Sequence, residues 1–183
     1  MIKKQITLLR IADVGNPVLR KVAAPVTNPL GIDIQSLIND MIATCREQGG
    51  VGMAAPQVYR SIRLMVVASV PTPAYPKAPT VKPFAAINPV ILSASPKTEY
   101  GWEGCMSVPG LRAKVLRPVS IKVEFTDRKG KRVQKSLSGL VARIFQHELD
   151  HLNGVFFLDK ADLSTLATQA EYQKMLAKKA KKK

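Results

Sequence analysis

The stretch SGLVARIFQHELDHLNG, residues 138–154, contains both histidines of the chain. Its apolar residues recur at helical spacing, and its first serine and last glycine are residue types that commonly flank a helix. Residues four apart share one face of a helix, so His147 and His151 should point the same way, with Glu148 beside them. The opposite side is expected to face solvent and comprises Arg143, Gln146, Asp150 and Asn153.

This spacing suits a metal centre. Two imidazoles on one helical face can bind one ion, and the carboxylate of Glu148 can exchange a proton with water activated there. The alternative is a pair of buried histidines that donate to backbone carbonyls. In that arrangement Glu148 would be buried in the same stripe without compensation, at a considerable cost in free energy.

A catalytic metal site usually has three protein ligands, and the chain has no third histidine. Cys105 lies among glycines in YGWEGCMSVPG, residues 100–110. Its thiolate would be a strong ligand for zinc or ferrous iron. Ligand chemistry therefore favours Cys105, whereas Cys45 lies on an apolar helical stripe and is expected in the core. The downstream acids remain an alternative: Asp159, Asp162 and Glu171.

The remaining patterns indicate short strands around helices. They predict a helix over 31–50, a strand over 61–69, a Pro-rich surface loop over 70–83, an extended segment over 84–94 and a hairpin over 118–137. Without a regular βαβ alternation, the fold class is expected to be α+β. We expect a single catalytic domain over 1–170, with mostly antiparallel strands around the helix that carries HELDH. Residues 171–183 should form a lysine-rich tail that begins as a helix and then frays, with no apolar stripe long enough to require packing on the core.

The charge of the chain is unusually positive. Lysine and arginine number 28 against 13 acidic residues, which gives a formal charge of +15. Such a balance suggests a weak, non-specific attraction to a polyanion such as RNA, because no motif for reading nucleic-acid sequence is present. No apolar run is long enough for a membrane span, and no secretory signal is recognised. We therefore expect a cytoplasmic protein with reduced thiols.

Three segments, taken in order, resemble the motifs of the peptide deformylases. GVGMAAPQ (50–57) is similar to the family's Gly-x-Gly-Leu-Ala-Ala-x-Gln, EGCMS (103–107) to Glu-Gly-Cys-Leu-Ser, and QHELDH (146–151) to Gln-His-Glu-x-Asp-His. Met53 and Met106 replace leucine, which is a volume-conserving change. The likeness includes DVGNPVLRKVAAPV near the start and weakens at the Pro-rich loop and the tail.

The resemblance implies hydrolysis of the formyl group from the N-terminal formyl-methionine of new polypeptides, with release of formate. By the matching positions, Cys105, His147 and His151 would hold the metal, and Glu148 would be general base and acid. The oxyanion donors would be the Gln57 amide and the Met106 backbone N–H. The substrate backbone would bind along Gly50, Val51 and Gly52, and the methionine side chain beside Val51, Leu140, Ile144 and the His147 ring. Glu103 and Arg112 would support the Cys105 loop.

Ligand types alone would indicate zinc, whereas the resemblance implies Fe²⁺ in the cell, with Zn²⁺ or Ni²⁺ often found after purification. The expected partners are N-formyl-methionyl nascent peptides and, through the basic tail, the ribosome surface. No sequence-specific nucleic acid and no membrane are expected.

Two other functions fit part of the pattern. A metallopeptidase could cut internal peptide bonds through HELDH, but it would take a downstream third ligand and leave EGCMS unexplained. An RNA- or ribosome-binding module could carry a purely structural metal, although such sites normally have four protein ligands.

Overall fold

The computed structural model describes residues 6–180, which form three α-helices and eight strands. The helices are α1 (Ile32–Glu47), α2 (Gly139–Leu152) and α3 (Gln169–Ala180). The strands are β1 (Gly52–Ala54), β2 (Leu64–Val67), β3 (Phe84–Ala94), β4 (Thr98–Cys105), β5 (Val108–Pro118), β6 (Ser120–Thr126), β7 (Arg132–Ser138) and β8 (Ala161–Thr168). Short 3₁₀ helices cover Pro17–Arg20, Ala55–Val58 and Phe157–Asp159.

The strands form two antiparallel sheets. The larger sheet has the order β1-β2-β3-β6-β7, and the smaller one has the order β4-β5-β8. Every strand pair within these sheets is antiparallel. The predicted α+β class is therefore confirmed, as is the hairpin, in which β6 and β7 pair from Ser120 opposite Ser138 to Thr126 opposite Arg132.

Helix α2 contacts strands of both sheets, with β1, β2, β6 and β7 from the larger sheet and β5 from the smaller one. Its apolar residues Ala142, Phe145 and Leu152 are fully buried and belong to the core of the larger sheet. This packing holds the histidine-bearing segment between the two sheets. Helix α1 packs against β1 and β2, and its Cys45 is completely buried, as the apolar stripe predicts. Among residues 6–180, no helix is long and apolar enough to cross a bilayer.

The ends of the predicted helices differ slightly from the observed ones. Helix α1 stops at Glu47, just before Gly49, whose φ of +65° is a left-handed conformation that favours glycine. Ser138 precedes α2 as predicted, but its side chain makes no capping hydrogen bond. The strand predicted over 61–69 is shorter, since only Leu64–Val67 pairs regularly.

The prediction that one side of α2 faces solvent is wrong for two of its four residues. Gln146 and Asp150 are buried, Arg143 is half-buried, and only Asn153 is exposed. Gln146 donates to the backbone oxygen of Pro118, the last residue of β5. The smaller sheet thus covers a helical face that looks hydrophilic in sequence, and its polar groups are paired inside the protein.

The tail begins as a helix, as predicted, but it packs on the body of the protein more than expected. Helix α3 begins at Gln169, so the expected boundary after residue 170 falls inside it. Tyr172 is only 6% exposed, and its ring lies 5.2 Å from that of Trp102. The expectation that this segment does not contact the body of the protein is therefore wrong at Tyr172. Residues 181–183 lie outside the described residues.

Candidate active site

Cys105, His147 and His151 form one cluster between the sheets. Their potential ligand atoms all lie within 4.8 Å of one another, and Cys105 Sγ is 3.1 Å from His151 Nε2. Among residues 6–180, these are the three histidine, cysteine or acidic side chains whose potential ligand atoms lie close enough together to bind one ion. Asp159 and Glu171 instead pair with Arg20 and Lys174, and Asp162 accepts from Ser164 within β8.

The backbone around Cys105 departs from a regular hairpin. The pairing of β4 with β5 shifts register between Gly104 and Cys105, so that Cys105 lies opposite Val108. Irregularities of this kind often re-aim a side chain next to a functional site. A Cβ on Gly104 would meet the side chain of Arg112 at 3.1 Å, so the close packing of these strands favours glycine there.

His147 is oriented by an ion network buried beneath it. Its Nδ1 lies 2.9 Å from Glu103 Oε2. The same carboxylate accepts from Arg117 at 2.6 and 2.9 Å and from Arg143 at 2.9 Å. Arg117 also donates to Asp150 at 2.9 Å. Asp150 is therefore paired with the buried Arg117, whereas the sequence pattern predicted that Asp150 faces solvent.

Sequence reasoning missed Arg117, which is 3% exposed. A signal for it does exist in the alternation of β5, because alternate residues of a strand share a face. Ala113 and Val115 precede it at two-residue intervals and are fully buried. An arginine continuing such a buried row requires acidic partners, but nothing local indicates that these are Glu103 and Asp150.

The charges in this network stabilise the ionised forms of two groups. Burial opposes ionisation of Glu103, but its bonds with Arg117 and His147 outweigh this and hold its pKa well below the usual range. Burial likewise disfavours the Cys105 thiolate. The charges and hydrogen bonds of His151 and His147 more than compensate, so the pKa of Cys105 is well below its ordinary value. The thiolate is the form that binds metals.

Glu148 lies beside this cluster and is 4% exposed. Burial raises its pKa to about 7, and its Oε2 is buried without a hydrogen-bond partner in the described structure. A Cβ on Gly52 would lie 2.7 Å from Glu148 Oε1 and 2.6 Å from Ile144. Glycine at position 52 is therefore required for β1 to pass so close to the carboxylate.

Gln57 is held with its amide nitrogen toward the thiol. It is 1% exposed, and its Oε1 accepts from the Ala54 N–H at 2.8 Å. Its Nε2 lies 3.3 Å from Cys105 Sγ and 3.3 Å from Ser107 Oγ. Because the oxygen is committed to the backbone, the amide N–H₂ group must face the cluster. Ser107, which is fully buried, is a contact that the sequence did not predict.

A cleft of about 270 Å³ opens over these groups. Its lining contains every site residue predicted from the sequence except His151: Gly50, Val51, Gly52, Gln57, Glu103, Cys105, Met106, Arg112, Leu140, Ile144, His147 and Glu148. It also contains residues that were not predicted. These include Ala74 and Tyr75 from the Pro-rich loop and Gln169 from α3.

The cluster fits a divalent transition-metal ion. One thiolate and two imidazoles are the ligand types that bind zinc or ferrous iron, and three protein ligands leave a position for a reactant. Oε2 of Glu148 is buried beside this cluster without a hydrogen-bond partner. A buried polar atom of this kind requires a polar partner, which a reactant bound at the cluster would supply.

Comparisons with known proteins agree with this geometry. A family profile described as polypeptide deformylase matches residues 8–166. A peptide deformylase 2 of a Nostoc species is 51% identical over 176 residues, covering 95% of this chain and 98% of the relative. A peptide deformylase 2 of Shewanella oneidensis is 39% identical over 173 residues, covering 94% and 91% of the two chains.

Solved structures resemble this one closely. A class I type b peptide deformylase from Acinetobacter baumannii, bound to Met-Ala-Ser, has a TM-score of 0.83 at 41% identity and covers 85% of this chain and 99% of its own. The enzyme from Thermotoga maritima has a TM-score of 0.76 at 40% identity, with coverage of 85% and 99%. The chain belongs to the polypeptide deformylase family, the metal-dependent hydrolases that remove the N-formyl group from newly made polypeptides.

Proposed function

We propose that this chain hydrolyses the formyl group of N-terminal formyl-methionine with one divalent ion held by Cys105, His147 and His151. The observation that carries this proposal is the placement of Glu148. Its unpaired carboxylate oxygen is buried beside a thiolate–imidazole cluster, and Glu148 lines the same cleft as Gly52 of the edge strand β1.

When bound, such an ion lowers the pKa of water from about 15.7 to about 7 and polarises a carbonyl group. The donor set suits Fe²⁺, Zn²⁺ and Ni²⁺ alike. We assign Fe²⁺ in the cell, with Zn²⁺ or Ni²⁺ able to replace it during purification, on the likeness to the family.

Glu148 acts as the proton carrier. It takes a proton from the attacking water and later delivers it to the amine that leaves when the formyl C–N bond breaks. The close approach of Glu148 to Gly52 supports this role, because it places the carboxylate next to the strand along which the substrate backbone would run.

Gln57 stabilises the oxyanion that develops on the formyl oxygen. Its Nε2 is held toward Cys105 by the bond between its Oε1 and the Ala54 N–H, so the donor is oriented before the reaction begins. Met106 follows Cys105 directly in the chain, and its backbone N–H is the second donor.

The substrate backbone adds to β1. Among residues 6–180, this strand lies at the edge of the larger sheet and pairs there with β2 alone. The Gly50 N–H and the Val51 carbonyl already bond to Cys45 and Ala68, so we propose that the peptide adds along the other edge of the segment Gly50, Val51 and Gly52. The methionine side chain then enters the pocket formed by Val51, Leu140, Ile144 and the His147 ring. The Met-Ala-Ser bound to the Acinetobacter baumannii relative supports a peptide beginning with methionine.

Glu103 supports the metal site through His147, and Arg112 packs on Gly104 next to the Cys105 loop. The catalytic unit expected over residues 1–170 is extended here to include Tyr172, because this residue packs on the body of the protein and against Arg112. We place the enzyme in the cytoplasm, with the lysine-rich segment 171–183 in contact with the ribosome surface. Lysines near ribosomal RNA would raise the local enzyme concentration without reading bases, and this attraction should weaken steeply with salt.

The reaction is tested with formyl-Met-Ala, unblocked Met-Ala and a longer peptide that has no formyl group. Release of formate from the first substrate alone supports the proposal, whereas cleavage of internal bonds would indicate a metallopeptidase. A stable metal content with no hydrolysis of any of these peptides would indicate a structural metal.

The ribosome contact is tested by removing residues after Ala177, which leaves the buried Tyr172 in place. The shortened enzyme should turn over a short formyl-peptide normally but co-sediment less with ribosomes at low salt. Equal co-sedimentation of the two proteins would show that the tail is not an anchor.

A further inference from the structure

Part of the cleft lining comes from segments outside the three motifs. Ala74 and Tyr75 come from the Pro-rich loop, and Gln169 comes from the start of α3. Two hydrogen bonds join the loop to the helix: Tyr172 Oη donates to Ala74 O at 3.4 Å, and Gln173 Nε2 donates to Pro73 O at 3.2 Å. Helix α3 and the loop therefore form one wall of the substrate cleft.

Arg112 lies at the centre of this wall and is 7% exposed. Its guanidinium carbon is 5.0 Å from the ring centroid of Tyr75 and 4.8 Å from that of Tyr172. The Nε–H donates to Gln169 Oε1. The planar group is thus positioned by two aromatic rings and one hydrogen bond, which leaves little freedom for it to turn.

Most of the donors of Arg112 are unused. A guanidinium has five N–H donors. Within residues 6–180, only the Nε–H of Arg112 makes a hydrogen bond, and Nη1 is buried without a partner. A buried, unsatisfied donor is costly, so such a group in the lining of a cleft points to an acceptor supplied by a ligand.

We propose that Arg112, positioned by Gln169 and Tyr172, binds a backbone carbonyl oxygen of the substrate beyond the methionine. This assignment rests on the proposed function. Residues two and three of an extended peptide reach about 7 Å past the methionine. Gly104, Arg112 and Gln169 all line the same cleft as the metal cluster, so a peptide in this cleft can meet Arg112. A carbonyl is the expected acceptor because a nascent chain has no terminal carboxylate at that point.

The proposal gives α3 a part in substrate recognition. Gln169 and Tyr172 are positioning residues, because each acts through Arg112. Substrates that contain only the formyl-methionine should not use this wall, whereas substrates with two further residues should. The contribution should therefore appear as a dependence on peptide length.

The test compares formyl-Met-Ala-Ser amide with formyl-methionine amide, using metal-loaded full-length enzyme. Gln169→Leu and Arg112→Lys should each lower kcat/KM for the longer substrate about tenfold, mainly through KM, as expected for loss of one hydrogen bond to a charged group. Gln169→Leu should leave the shorter substrate unaffected. Arg112→Lys also changes the packing on Gly104, so its effect is judged by the ratio of kcat/KM between the two substrates. The control is Lys174→Ala, which removes an exposed α3 side chain that pairs only with Glu171 and should alter neither substrate.

Several results would overturn the proposal. An equal loss on both substrates, or a fall in melting temperature with loss of metal, would show a purely structural role for Gln169 and Arg112. No loss on the longer substrate would exclude the contact. If Arg112→Lys does not fold, Gln169→Leu alone decides the question.

The free acid of formyl-Met-Ala-Ser separates the two kinds of acceptor. A defect confined to this acid, with the amide unaffected, would assign Arg112 to a carboxylate and contradict the carbonyl contact. If the wild-type enzyme hydrolyses formyl-methionine amide, the proposed function stands whatever the variants do. If it hydrolyses neither substrate, the proposed function itself fails.

Discussion

Nδ1 of His147 lies 2.9 Å from Oε2 of Glu103, so only Nε2 of this imidazole is free to bind a metal ion. The carboxylate is itself held by Arg117, which is buried and also bonded to Asp150. A chain of charge-assisted contacts therefore links the outer side of α2 and strand β5 to one candidate ligand. Such contacts fix both the tautomer and the orientation of a ligating histidine.

Replacing Arg117 with methionine should destabilise the protein strongly. The change leaves the Glu103 and Asp150 carboxylates without their buried partner, and breaking such a pair costs about 3–5 kcal/mol. Chemical denaturation would measure the loss. Arg132→Met is the matched control, because Arg132 is 78% exposed and Glu124 keeps its hydrogen bond from Gln134, so the loss should have little effect. Equal stability of Arg117→Met and wild type would contradict the role given to the network.

The same variant should bind metal about 10–100-fold more weakly, since His147 loses its fixed orientation. Competition with a chelator of known affinity, under conditions where the variant is still folded, would check this. Unaltered metal affinity would show that Glu103 orients His147 without help from Arg117.

Glu148→Gln should keep the metal and lose most of its turnover. The amide preserves the shape of the side chain but cannot carry the proton, and loss of a general base typically lowers kcat about 10²–10⁴-fold. Rate measurements at matched metal content are required, with Glu47→Gln at the exposed end of α1 as a control. Near-normal turnover of Glu148→Gln would contradict the role of Glu148 as the proton carrier.

Cys105→Ser should weaken or change metal binding, whereas Cys45→Ser should leave it intact. Cys45 is fully buried in the core around α1, and burial raises the pKa of its thiol to about 12, so it stays protonated. Metal analysis of both proteins after anaerobic preparation would compare them. Loss of metal from Cys45→Ser alone would mean that the wrong thiol has been assigned.

Gln57→Leu should lower kcat about 10²–10³-fold with substrate affinity roughly kept, because an oxyanion donor acts mainly in the transition state. The variant also leaves the Ala54 N–H unpaired, so its stability should be measured alongside its kinetics. An unchanged kcat in a folded, metal-loaded variant would place the oxyanion site elsewhere.

Local patterns in the sequence were sufficient for much of this protein. The helical spacing of His147, Glu148 and His151 predicted one shared face, and residue chemistry favoured Cys105 as their partner. Similarly, alternation and turn residues predicted the β6–β7 hairpin, and an apolar stripe predicted α1 with Cys45 in the core. These features depend on neighbours a few residues apart, which is why a single sequence can reveal them.

The tertiary structure decided which charged groups meet. Arg117 lies 14 residues after Glu103 in the sequence and 33 before Asp150, yet it bonds to both. The amphipathic pattern of α2 predicted that Asp150 lies on a solvent-exposed face. This prediction failed because helical periodicity cannot show that a second sheet covers that face. Likewise, the lysine-rich composition after residue 170 concealed the packing of Tyr172 against Arg112. Helix and turn signals arise from local backbone preferences, whereas buried ion pairs and cleft walls depend on how distant segments pack.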